Sequence, residues 1–398
     1  MRFFVVVFAL MYCCFCHASK DEVEIGDDSV EVSLLTCAPG SEVYSLYGHT
    51  ALRYHDLRTG ADWTFNYGVF DFRKPFFSLR FMLGLTDYQL GVVPFMMFAR
   101  EYYRSGRAVT EQVLELTSEE KKTLKLALDE NYKDENREYR YNFFRDNCTT
   151  RARDMIERAI IGSKVQYPAE RIGFVNDEGL NTLRDYIHWY TEGSPWARFG
   201  NDICLGFAAD RNMTWRERQF LPEMLMDDFA NTSIVGGKTG VRRMVKTTRI
   251  VVDPGVRFVK SGFPLSPWAC FAILLIVTVL VSIKEYRRKK TFVAFDAILM
   301  SLTGLAGVFV TLFFCSQHPT TSTNLQILLL NPLPLFFLIK VIQRKAVVYW
   351  KISLVLIVLF FLGFFIQSYA EGMGFLALCL LIRAYMNLHF QYPNIRKQ

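Results

Sequence analysis

Phe143-Phe144-Arg145-Asp146-Asn147-Cys148-Thr149-Thr150-Arg151 is the stretch on which the fold and the chemistry of this chain turn. Asp146-Asn147 supplies helix N-cap chemistry, and Cys148, Ala152, Met155 and Ala159 then recur at spacings of four, three and four residues. The spacing predicts a helix with Cys148 in its first turn, on the stripe that faces a core or a cleft. A thiol placed there meets unpaired backbone N–H groups and the positive end of the helix dipole, which favour the thiolate and can hold a developing oxyanion. Taken singly, such a cysteine also reads as a small buried hydrophobe.

Working outward, Tyr139 to Phe144 is strand-like, and Thr117-Ser118-Glu119-Glu120 opens a helix with a capping-box pattern that runs to about Asn131. Further upstream, Val30 to Cys37, His49 to His55 and Asp62 to Gly68 read as strands, the last two joined by the turn Arg58-Thr59-Gly60 into a hairpin. Between them and the helices, Phe70 to Arg107 is crowded with Phe, Met, Tyr and Arg and is interrupted by Gly84, Gly91 and Pro94. It reads as packed helices or loops over a sheet, ahead of a lipid-binding surface. Strands and helices segregated in this way imply an α+β domain.

A thiol nucleophile benefits from a base, and His49, His55 and His188 are the candidates. His49 is best placed, at the mouth of a strand after Leu46-Tyr47-Gly48, where Gly48 permits a tight bend. A satisfied strand-end histidine is its plain alternative. Asn66, sharing the polar parity of Asp62 and Thr64 on the neighbouring strand, is the candidate to orient the imidazole, with Asp71 as competitor. The histidines are too scattered for an evident metal site, so no metal and no cofactor is expected. Gly236-Gly237-Lys238-Thr239 imitates the end of a phosphate-binding loop, but Thr232 stands where that motif needs Gly. No Gly-x-Ser-x-Gly elbow offers a serine nucleophile. With Cys37, Cys148 and Cys204 between about 30 and 262, an odd count leaves one thiol unpaired, and a Cys37–Cys204 disulfide is one pairing that would leave Cys148 free.

The chain has 398 residues, 51% of them hydrophobic, with 35 Phe, and the apolar excess lies after Pro264. Five apolar segments follow: Pro264 to Ile283, Phe292 to Phe314, Leu325 to Ile342, Val347 to Ile366 and Gly372 to Leu388. Arg383 in the last is expected to face protein or lie near an interface, because a charge at the centre of a lone spanning helix costs about 2.5–3.5 kcal/mol. Lys and Arg cluster after the first, third and fifth segments, whereas the loops 316–324 and 367–371 carry neither. The positive-inside rule then puts the part before the first span outside the cytoplasm. Met1-Arg2, the apolar run Phe3 to Phe15 and Cys16-His17-Ala18 read as a signal peptide and agree with that orientation. The expected division is 1–18 signal peptide, 19–262 periplasmic catalytic domain and 263–398 five-helix transmembrane domain. Cytoplasmic anchoring loops account for most of the net charge of +7, and nothing demands a nucleic-acid partner.

Three motifs in order, Tyr47-Gly48-His49-Thr50-Ala51-Leu52-Arg53, Phe65-Asn66-Tyr67-Gly68-Val69-Phe70-Asp71-Phe72 and Phe143 to Arg151, resemble the Lnb family of bacterial lipoprotein N-acyltransferases. His318-Pro319 and Asn331-Pro332-Leu333 resemble that family's membrane domain. The resemblance implies a circularly permuted papain-like thiol domain, His before Cys, followed by an all-α five-helix transmembrane bundle. It implies Cys148 as nucleophile and His49 as base, with diacylated lipoproteins and membrane phospholipid as partners at the bacterial inner membrane. His318 and Asn324 would lie in a periplasmic loop, lining lipid entry or capping the loop. A tethered cell-wall peptidase and a non-enzymatic lipid- or protein-binding scaffold are the rival readings, and five spans favour a lipid-borne substrate over the peptidase.

Overall fold

The computed structural model describes residues 29–70, 73, 75–85, 87–168, 179–237, 240–255 and 263–395. The expected signal peptide and Asp71 lie outside the described residues, as do Lys238 and Thr239.

The first part is built on an antiparallel sheet of seven strands in the order β10-β5-β1-β2-β3-β4-β6. The strands are β1 (Val30–Cys37), β2 (His49–Asp56), β3 (Ala61–Val69), β4 (Asp87–Pro94), β5 (Val109–Leu114), β6 (Glu138–Arg140) and β10 (Val245–Val252). A smaller sheet joins β7 (Ser163–Gln166), β8 (Ser233–Gly236) and β9 (Val241–Arg243). Alternation of buried and polar residues sets the register: Leu34 opposes Leu52, which opposes Phe65, and all three side chains enter one core.

Helices cover the sheet. They are α1 (Phe77–Met82), α2 (Phe95–Arg104), α3 (Ser118–Tyr132), α4 (Cys148–Ala159), α5 (Leu183–Tyr190), α6 (Pro195–Cys204), α7 (Trp215–Arg218) and α8 (Pro222–Ala230). The expected capping box forms at α3, where Thr117 accepts from the Glu120 amide and the Glu120 carboxylate accepts from the Thr117 amide. Ala152, Ile156 and Ala159 of α4 are buried with Leu34, Leu52 and Phe65. Full burial of one such Ile side chain contributes about 1.5–3 kcal/mol.

Two expectations need correction. The aromatic stretch 70–107 contains not only helices but a sheet strand, β4, paired with β3 and β6. Gly91 and Pro94 disguise it. A Cβ on Gly91 would come within 2.9 Å of Val69 Cγ2, so the glycine serves strand packing rather than a turn. The disulfide does not form, since Cys37 and Cys204 are free thiols. Cys37 is buried under α2 among Phe95, Phe98 and Tyr102, whereas Cys204 ends α6, flanked by Ile203 and Leu205, whose carbonyls bond the loops of the membrane part.

The second part is helical: α9 (Pro267–Arg288), α10 (Val293–Phe314), α11 (Leu333–Ile342), α12 (Val347–Gly363) and α13 (Met373–Ile395). Among the described residues, four segments are long and apolar enough to cross a membrane, while Val347–Gly363 is shorter. The third segment is not one straight helix. A 3-10 turn over Leu325–Leu328 precedes α11, and the break at Asn331-Pro332 is closed by Asn331, which donates to the Ile327 and Leu328 carbonyls and accepts from the Leu333 amide. Backbone groups freed by a proline break in lipid need such local partners.

Arg383 faces protein, as expected. Fully buried, it donates to Glu285, Asp296 (2.7 Å) and Ser282 (3.0 Å), and Asn387 donates to Asp296 at 2.9 Å. The guanidinium thus ties α13 to the end of α9 and the start of α10. Replacing one partner of a buried ion cluster strands the others and costs about 3–5 kcal/mol. Arg383→Met is therefore expected to lower the thermal midpoint of the detergent-purified protein clearly, and Arg383→Met with Glu285→Gln and Asp296→Asn to recover much of the loss. An unchanged midpoint in the single variant would contradict this account.

The two parts dock through the loops at one end of the bundle. Gln317 donates its amide to the Leu83 carbonyl (3.0 Å), the Gly206 amide donates to Thr320 O (2.8 Å), and Gln326 donates to Asp202 O (2.7 Å). Those loops are the ones that carry no Lys or Arg, so charge and docking define the same end of the bundle.

Candidate active site

Local sequence positions Cys148. Asn147 is the N-cap: its Oδ1 accepts from the Thr149 (3.0 Å) and Thr150 (2.9 Å) amides, and Thr150 Oγ1 accepts from the Asn147 amide (2.9 Å). Its Nδ2 donates to the carbonyls of Phe143 (2.9 Å) and Phe220 (2.8 Å). Phe143, Phe144 and Phe220 meet edge to face around that loop. Asp146, the other cap candidate, instead pairs with Arg151 at 2.6 Å. The cap consumes the amides of residues 149 and 150, so Cys148 N–H is the first-turn donor it leaves unused.

His49 opens β2. Gly48 before it has φ +78°, and a Cβ there would lie 2.7 Å from the Cys37 carbonyl, so only glycine makes this turn without strain. His49 Nε2 lies 2.6 Å from Asn66 Oδ1. An amide oxygen only accepts, so Nε2 carries the proton and Nδ1 is left toward the thiol. Gly68 marks how close the thiol and the imidazole come: a Cβ built on it would sit 3.7 Å from Cys148 Cβ and 3.8 Å from His49 Cε1. Cys148, His49 and Asn66 are thus brought together by α4, β2 and β3, while His55 and His188 stand elsewhere; His188 bonds Asp202 at 2.9 Å.

Burial opposes the Cys148 thiolate, but the adjacent His49 imidazole outweighs it, with the Thr50 amide and the Thr149 hydroxyl adding to the effect, and the thiol is lowered from 9.0 to about 7. His49 is reciprocally raised: burial disfavours the imidazolium, but Cys148 and then Asn66 outweigh it. A thiolate–imidazolium pair is therefore populated near neutral pH. Cys37 and Cys204 go the other way, each pushed by burial up to about 12. Sequence reasoning missed Thr149, whose hydroxyl lies 3.0 Å from Thr50 Oγ1 and 3.8 Å from Cys148 Sγ, locking helix to strand beneath the sulfur; its only signal was its place beside the cysteine.

Asn324 does not line an entry. It is fully buried, donates to Ile203 O at 2.7 Å and caps the 3-10 turn through Gln326 N, which is the loop-capping alternative. His318 lies 3.2 Å from the Phe81 carbonyl through Nε2. No group of three or more His, Cys, Asp or Glu that could hold a metal occurs among the described residues.

A half-buried thiol with an imidazole and an orienting amide, on an α+β domain docked to a helical membrane part, defines a class of membrane-anchored thiol proteins. Two family models match the chain: the Lnb N-terminal periplasmic domain over residues 23–177 and the Lnb transmembrane domain over residues 259–394. The chain belongs to the Lnb family, and it is a membrane protein with a periplasmic domain. No curated protein and no solved structure matches it.

Alkylation by iodoacetamide should report the pair directly. In the full-length protein Cys148 is expected to react with an apparent pKa about 7, ahead of Cys37 and Cys204, and His49→Ala should move that midpoint toward 9.0 or above. A wild-type midpoint already near 9.0, read by mass spectrometry of the labelled peptide, would remove the ion pair.

Proposed function

We propose that this protein is a lipoprotein N-acyltransferase of the bacterial inner membrane, moving an acyl chain through a Cys148 thioester onto the α-amine of the N-terminal cysteine of diacylated lipoproteins. The observation that carries the reading is the Cys148–His49–Asn66 constellation at a helix N-terminus, held over a membrane domain of the Lnb family.

In the first half-reaction the Cys148 thiolate attacks the carbonyl carbon of a lipid ester, forming the S–C bond. The oxyanion of the tetrahedral intermediate is met by Cys148 N–H at the positive end of α4. As the C–O bond breaks, the His49 imidazolium gives its proton to the departing alcohol oxygen. In the second half-reaction the free α-amine attacks the thioester carbonyl, the C–N bond forms and the C–S bond breaks, and neutral His49 takes the amine proton. Thiolate and imidazolium are regenerated. Asn66 touches no reacting atom; it holds the tautomer that keeps Nδ1 for the thiol. Amide formation from a thioester is downhill, so the second step asks mainly for positioning.

Mass spectrometry of lipoprotein N-terminal peptides from an N-acylation-deficient strain tests this. The wild-type gene should restore N-acyl peptides. Cys148→Ala and His49→Ala should abolish them, and Asn66→Ala should lower turnover roughly 10-fold or more, as expected for a group that orients a general base. Full activity in Cys148→Ala would end the proposal, and cleavage of cell-wall peptides without N-acylation would favour the peptidase.

A further inference from the structure

The thiol and the membrane are joined by a line of aromatic rings that catalysis by Cys148, His49 and Asn66 does not use. Phe70 lies two residues beyond Gly68, the residue packed against Cys148 and His49. Its ring stacks on Phe77 at 5.6 Å, with planes 22° apart, and Phe77 stacks on Phe81 at 6.4 Å and 19°. The Phe81 ring is 6.2 Å from His318. Its carbonyl meets His318 Nε2, and the Leu83 carbonyl accepts from Gln317. Gln317 and His318 follow the outer end of α10, so α1 sits at the height where the bundle leaves the membrane.

The face α1 presents is apolar. Phe76, Leu79 and Phe81 are exposed, Phe76 to 78%. The one charge on the helix, Arg80, is drawn back to Asp87 (3.0 Å) and the Leu85 carbonyl. A core ladder would be covered on all sides, whereas an apolar face held at a membrane interface is covered by lipid. Burial also pushes the His318 imidazole down, which disfavours a charge on that ring.

We propose that Phe70, Phe77 and Phe81, with His318 at the membrane end, form a track that carries one acyl chain of a membrane lipid from the outer interface to Cys148. The occupant is a single lipid tail, because one end of the track meets the bundle's outer rim at His318 and the other ends at Phe70, which packs on the same core as Cys148 and lies two residues beyond Gly68. The inference rests on the acyl-transfer reading above for what happens at the thiol, but not for the presence of the chain.

Two measurements on the full chain in phosphatidylethanolamine nanodiscs decide it. In the first, Cys148-dependent release of p-nitrophenolate is followed from p-nitrophenyl palmitate and p-nitrophenyl acetate. Phe77→Ala and Phe81→Ala should lower the palmitate-to-acetate rate ratio at least tenfold, and Phe81→Leu should restore much of it. An unchanged ratio overturns the track. In the second, a phosphatidylethanolamine with a diazirine-tailed acyl chain is photolysed with the wild type and with Cys148→Ala. Adducts on the peptide bearing Phe77 and Phe81 are expected in both, and adducts confined to α9–α13 overturn the proposal. Photolabelling needs no thiol, so if N-acylation survived Cys148→Ala the acyl-transfer reading would fall while this arm still decided the track.

Discussion

The Asn147 side chain is the constraint on which the site depends. One amide group accepts two helix N–H donors and gives its own hydrogens to the carbonyls of Phe143 and Phe220, so it fixes the first turn of α4 and the loop that delivers it. A typical N-cap is worth about 1 kcal/mol. This one is buried, and each carbonyl deprived of its donor would add about 1–3 kcal/mol. The position of Cys148 is thus a consequence of capping physics one residue upstream. Thr149 completes the constraint by bonding Thr50, the residue after His49, so that cap, thiol and imidazole are tied to one another.

Electrostatics then decide what the thiol is. Burial alone would turn Cys148 into another Cys37, a thiol pushed up to about 12 and inert. A fall from 9.0 to about 7 is worth roughly 3 kcal/mol in favour of the charged form. That net fall is reached against the opposing burial, so the pairing with His49, the largest favourable interaction, acts together with the Thr50 amide and the Thr149 hydroxyl. The imidazole must present one nitrogen and not the other, which is why a neutral amide at 2.6 Å suits the third position. Asn66 fixes the tautomer without adding a negative charge that would compete with the thiolate for the proton.

Much of this was legible in the sequence because it is local. The Thr117 capping box, the first three strands and the Cys148 stripe are written within a few residues and form where expected, whereas the strand expected over Tyr139 to Phe144 is confined to Glu138–Arg140 and gives way to a turn at 143–145. Asn66 was legible from strand parity and a neighbouring hairpin. What was not legible depends on distant partners. Strand β4 looks broken by Gly91 and Pro94 until β3 and β6 close on it from both sides. The absent disulfide follows from a sheet that buries Cys37 on one element and a docking loop that claims the neighbours of Cys204. Asn324 reads as a loop residue because its partners, Ile203 and Gln367, lie far away in the chain.

That last residue shows how the two parts are coupled. Asn324, Gln326 and Gln367 form a buried amide cluster: Gln367 donates to Asn324 at 2.9 Å, while the three side chains reach the carbonyls of Ile203, Asp202 and Leu205 at the end of α6. Buried amides without partners cost about 1–3 kcal/mol apiece, so separating the parts would strand several at once unless water replaced every bond. Asp202 is held from its other side by Arg184, itself buried and bonded to Asp210. The docking interface is therefore polar yet satisfied, which specifies one arrangement more sharply than an apolar contact that can slide. Because the same end of the bundle carries no Lys or Arg, the orientation set by charge at insertion and the seat prepared for the thiol domain are two results of one pattern in the loops.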